Sequence, residues 1–192
     1  MLQHRSSRIA LGVVLTLVMA ACSKGNPTSG GSPSGGGVAA YVSGVCGAVS
    51  DWENAVQSLA TGFPAQIQGA SSLDAAKQLF VQYVDENVTA TDTMIAKIQA
   101  LGTPSVANGA EIQSKVVGAL QQVDASFAEA KSKAEQLDTT NPTTFSSGVT
   151  DISNTLDSEL SGLGDPLAGV SSSELETAAS ADPACQKLNP SP

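Results

Sequence analysis

Residues 73–101 read LDAAKQLFVQYVDENVTATDTMIAKIQAL, and the spacing of their apolar side chains decides the fold. Leu73, Ala76, Phe80, Val84, Val88, Thr91, Ile95, Ile98 and Leu101 recur every three or four residues, the period of one face of a helix. Ser71 stands just ahead of the run with Asp74 three residues on, a variant of the capping box, and Gly102 closes it.

The same period extends in both directions. Upstream, Val38, Tyr41, Val42, Val45, Val49, Trp52, Val56 and Leu59 predict a first helix that closes at Gly62 and Pro64. Downstream, Thr103-Pro104 reads as an N-cap followed by proline at the first helical position. It opens a third run through Val106, Ala110, Val116, Val117, Leu120, Val123, Phe127, Ala130, Ala134 and Leu137. Asn141-Pro142 repeats that start signal before a fourth stripe at Phe145, Val149, Ile152, Leu156, Leu160 and Leu163. A short helix is expected from Ser172 to Ala181, with Glu174 and Glu176 in its first turn, where the helix dipole favours acids. Four amphipathic runs on short connections predict an all-α, up-and-down bundle of four helices, with a three-helix core and a fragmented fourth element as the alternative.

The ends of the chain read differently. Arg5 and Arg8 precede a mostly apolar stretch over residues 9–21, too short for an ordinary spanning helix and built like a secretory signal. Residues 22–37, CSKGNPTSGGSPSGGG, carry no aliphatic or aromatic side chain. They predict a flexible tether with an average span of roughly 20–25 Å. The expected organisation is therefore a signal at 1–21, a tether at 22–37, a helical domain at 38–186 and a disordered tail at 187–192.

Met19-Ala20-Ala21-Cys22 resembles the lipobox of bacterial lipoproteins, with Met19 where that pattern prefers Leu. The resemblance implies cleavage before Cys22, acyl chains on that cysteine, and display on the extracytoplasmic face of the cell membrane. Several chains on one residue give stable anchoring where one would be marginal. Tyr41-Val42-Ser43-Gly44-Val45-Cys46 and Asp51-Trp52-Glu53-Asn54 look like the start of small secreted or lipid-anchored helical proteins of Gram-positive actinobacteria. That likeness covers about twenty residues and implies an address in the envelope, with no catalytic residues attached. With Cys22 lipidated, Cys46 and Cys185 are left as an even pair in an exported protein, which predicts a disulfide between the first helix and the C-terminal segment.

Removal of the signal takes His4, Arg5 and Arg8 with it. The remaining chain has no histidine or arginine, and seven lysines stand against eighteen acids. That excludes His-dependent triads and His-containing zinc or haem sites, and it removes the bidentate clamp for phosphate and carboxylate substrates. The acidic balance also argues against a nucleic-acid partner. Neither a phosphate-binding glycine loop nor a Cys-x-x-Cys motif occurs. Carboxylates remain, and Asp85 and Asp92 share a helical face, but solvated acids are the simpler explanation. Trp52 reads first as a packed core residue or interface anchor, and with Tyr41 and Tyr83 it is also the candidate contact for a ligand or partner.

The sequence thus predicts a non-enzymatic, membrane-anchored interaction or structural module without cofactor or metal, its partner an envelope protein. The alternative is a carrier holding an apolar small molecule or lipid in a cavity between helices.

Overall fold

The computed structural model describes residues 36–162 and 172–188, so the signal, Cys22 and most of the tether lie outside the described residues. The chain is all-α: six helices, four long and two short, with no strand among the described residues. They are α1 (Gly36–Gln68), α2 (Leu73–Ala100), α3 (Gly109–Glu135), α4 (Pro142–Gly162), α5 (Ser173–Ala181) and α6 (Pro183–Leu188). The helix at 73–100 is central, packed between α1 on one side and α3 on the other. Helix α4 lies along α3, and the α5–α6 pair lies on α1.

Two apolar clusters hold the helices together. The larger joins Tyr41, Val42, Val49 and Trp52 of α1 to Met94 and Ile98 of α2 and to Val123 and Phe127 of α3, with Cys185 and Leu188 of α6 sealing it. The smaller joins Phe80 and Val84 of α2, Ala130 and Ala134 of α3, and Ile152 of α4, with Phe63 of α1 packed against it. Cys46 and Cys185 are linked by a disulfide with a Cα–Cα distance of 5.1 Å, closing a loop of sequence separation 139.

Several helix ends depart from the sequence expectations. Ser72, one residue later than expected, caps α2 by accepting a hydrogen bond from the Ala75 amide at 3.1 Å. Helix α1 runs past Gly62 and Pro64 to Gln68, although Pro64 has no N–H to donate to the preceding turn. Pro64 is exposed, so water can solvate the acceptor it leaves free.

Thr103-Pro104 opens no helix, and α3 starts only at Gly109. The chain folds back tightly there: the Val106 amide donates to Pro104 O at 2.9 Å, and Asn108 adopts a left-handed conformation with φ 61°. A Cβ on Gly109 would collide with the backbone oxygen of Pro104, so that position accepts only glycine. Asn141-Pro142 does start α4, with Asn141 Oδ1 accepting from the amides of Thr143 and Thr144 at 2.8 and 3.2 Å.

The C-terminal segment carries the last correction. Residues 187 and 188 belong to α6, and Leu188 is buried, where the sequence predicted tail. Asp182 Oδ1 accepts from the amides of Ala184 and Cys185 at 2.8 and 3.1 Å, capping α6 and holding the cysteine in position for its partner.

Candidate binding groove

The three aromatic residues singled out in the sequence do not converge. Tyr41 is buried, and its hydroxyl donates to Gln113 Oε1 at 2.5 Å, tying α1 to α3. Tyr83 stacks on Phe63 with ring centroids 4.4 Å apart, in the neighbourhood of the smaller cluster. Burial raises the pKa of both phenols, and for Tyr83 a hydrogen bond with Asn87 partly offsets it. Both side chains are therefore neutral structural groups at physiological pH.

Trp52 alone borders a surface depression, a groove of about 480 Å³ between α1 and α2 that opens to solvent. Ala48, Trp52, Ala55 and Leu59 line it from α1. Ala90, Thr93 and Met94 line it from α2. Asp51, Glu86 and Lys97 supply its charges. Lys97 Nζ reaches across to Asp51 Oδ2 at 2.7 Å. That pair is 49% and 66% exposed, so it contributes little to stability and is free to exchange with an incoming group.

The floor of the groove is held from beneath. Trp52 Nε1 donates to Thr91 Oγ1 at 3.1 Å, and Thr91 Oγ1 donates to Asn87 O at 2.9 Å. Asn87 Nδ2 in turn donates to Tyr83 O at 2.7 Å. Thr91 and Asn87 are fully buried and carry these bonds inside the bundle, where an unpaired polar group would be costly. The indole is thereby fixed by packing and by a hydrogen bond, buried beneath the groove that it helps to line. Asn87 also heads the sequence Asn87-Val88-Thr89, a glycosylation acceptor pattern, but its burial closes that use.

The sequence missed Asn87 and Met94 as core positions because one is polar and the other falls between apolar stripe members. Phe80, Val84, Asn87, Thr91, Met94 and Ile98, all buried, follow a strict alternation of four and three that would have placed both. Leu101, expected at the end of the stripe, is the exposed large apolar residue of the described chain.

The carboxylates of the described residues are held in different ways. Asp85 pairs with Lys131 at 2.6 Å across α2 and α3. Asp124, with one oxygen buried and unpartnered, is raised in pKa by burial and then by the neighbouring charge of Asp92. Glu53, beside Trp52 in sequence, is raised by burial. Among the described residues, no group of three or more His, Cys, Asp or Glu is placed to hold a metal ion. No described helix is long and apolar enough to cross a membrane. No family model, curated protein or solved structure matches the chain.

Proposed function

We propose that the protein is a non-catalytic interaction module of the bacterial cell envelope, acylated at Cys22, held at the extracytoplasmic face by a tether that ends where α1 begins at Gly36, and docking a partner in the α1–α2 groove. The observation that carries this reading is the groove itself, where Trp52, Ala55 and Met94 border an opening across which the Asp51–Lys97 pair lies. The lipobox-like Met19-Ala20-Ala21-Cys22 and the glycine-rich stretch after it support the anchored placement. The groove's volume also falls in the range of small-molecule sites, which supports the carrier as second reading. Its openness favours an occupant that covers it, because a small ligand there would keep much of its surface in water.

A photo-crosslinking amino acid at Ala55, compared with one at the exposed Ser146 on α4, tests the docking face in intact envelopes. A covalent protein adduct from position 55 and none from 146 is expected. Equal labelling at both positions, or none at 55, contradicts the reading. The intact mass of membrane-extracted protein tests the anchor, which is contradicted if Cys22 carries no acyl mass.

A further inference from the structure

The groove runs from Ala48 to Leu59 on α1 and from Glu86 to Lys97 on α2. Eleven residue steps on each helix, at about 1.5 Å per residue, give a trough roughly 16 Å long, or three helical turns. Alanines at 48, 55 and 90 keep its walls low, so another backbone can approach, and the half-buried Ala55, Leu59 and Ala90 present its apolar surface above the buried Trp52 and Met94. Two helices flanking a trough of this length and composition match the helix-in-groove mode, in which an amphipathic helix inserts side chains spaced i, i+3 or i+4, and i+7.

Charge selects among such helices. The groove has two carboxylates, Asp51 and Glu86, against one ammonium, Lys97. Lys97 already has Asp51 as partner at 2.7 Å, and Glu86 holds only the exposed amide of Gln82 at 2.9 Å. The chain as a whole has 18 acids and 9 bases. An acidic helix would meet repulsion from both the rim and the surrounding field, whereas a basic one is attracted by both. The same field disfavours a second copy of this chain as occupant.

Resting on the docking reading above, we propose that the α1–α2 groove takes a basic amphipathic helix of a partner protein, its apolar face on Ala55, Leu59 and Ala90 and its Lys or Arg side chains beside Glu86 and Asp51. Trp52 is the one tryptophan of the chain and lines the groove, so a change in its emission reports a change there.

The test uses the full chain in phosphatidylcholine nanodiscs, with empty nanodiscs as blank. The probes are two tryptophan-free synthetic 18-residue helices sharing one leucine face, one with lysines and one with glutamates on its other positions. The lysine helix is expected to shift Trp52 emission saturably at sub-millimolar concentration and to weaken as salt is raised. The glutamate helix should bind at least tenfold more weakly. Ala55→Gln, which fills the trough, should abolish the response. Glu86→Gln, an exposed change with no steric demand, should weaken the lysine helix severalfold without affecting the fold.

Equal binding of the two helices overturns the proposed charge selection, as does an unchanged affinity in Glu86→Gln. No response to either helix overturns the helical occupant. In each case crosslinking at Ala55 decides separately whether the groove docks anything at all.

Discussion

The two halves of α1 carry the same apolar period and are held in different ways. Every buried hydrophobic residue of this helix lies in the first half, from Tyr41 to Trp52. Val56, Leu59, Phe63 and Ile67 continue the pattern but stay half-exposed. The cause is the number of neighbours. The first half faces α2, the α5–α6 pair and the disulfide, and Tyr41 is hydrogen-bonded to α3. The second half has its main apolar support in Phe63, which meets Phe80 at 5.9 Å and Tyr83 at 4.4 Å on α2. Periodicity tells which face of a helix is apolar; the surrounding topology decides how much of that face leaves water. The groove spans the transition, with its Ala48–Trp52 part on the tightly held half.

The largest test of that contrast is removal of the disulfide. Cys46→Ser is expected to lower stability to urea by about 4–5 kcal/mol, from the chain entropy released by so long a loop. Cys185→Ser should cost the same, and the double substitution little more, since both remove one bond. Additive losses would show that the two sulfurs act separately. Truncation on either side of the transition comes next. Trp52→Ala should cost about 3–5 kcal/mol through cavity formation and loss of the Thr91 hydrogen bond, whereas Phe63→Ala should cost only about 1–2 kcal/mol because the ring is half-exposed. Equal losses would erase the distinction between the halves.

Smaller effects sharpen it. Asp182→Ala removes the cap of α6 and should cost about 1 kcal/mol, with Asp182→Asn closer to the parent. Burial pushes the Asp182 carboxyl up, yet hydrogen bonds from the Cys185 amide, Ser43 and the Ala184 amide outweigh it and leave its pKa lowered. Its contribution is therefore present above the unfolded carboxylate range and lost as pH falls through the folded value.

Asp124 behaves in the opposite sense. Its raised pKa favours the fold below the unfolded value, and that advantage is lost as pH rises through the folded one. Asp124→Asn should accordingly raise the melting temperature at pH 7 and leave it unchanged at pH 3, a difference read from thermal scans across that range.

Much of the architecture was legible in the sequence. The all-α class, the Asn141-Pro142 start of α4 and the short helix capped by Ser172 follow from periodicity and cap chemistry, which are local. The pairing of Cys46 with Cys185 followed from the cysteine count once Cys22 was set aside, and the bond is present. The displaced start of α3 was not legible, because it depends on how closely Gly109 approaches Pro104 O after the chain has turned. Nor was the short helix at 183–188, whose burial of Leu188 depends on its docking against α1 through the disulfide. For the candidate site, Trp52 borders the groove, whereas Tyr41 and Tyr83, grouped with it only by residue type, lie elsewhere. Depth and register along the bundle separate them, and a list of residues holds neither.

Residue-resolved hydrogen exchange along α1 and α2 probes whether the groove is built on a rigid half-helix and is present before any partner arrives. Amides at 45–52 and 91–98 are expected to exchange only through global unfolding, while those at 60–68 exchange at least a hundredfold faster through local opening. Uniform protection along α1, or fast exchange at Trp52 and Met94, would contradict it.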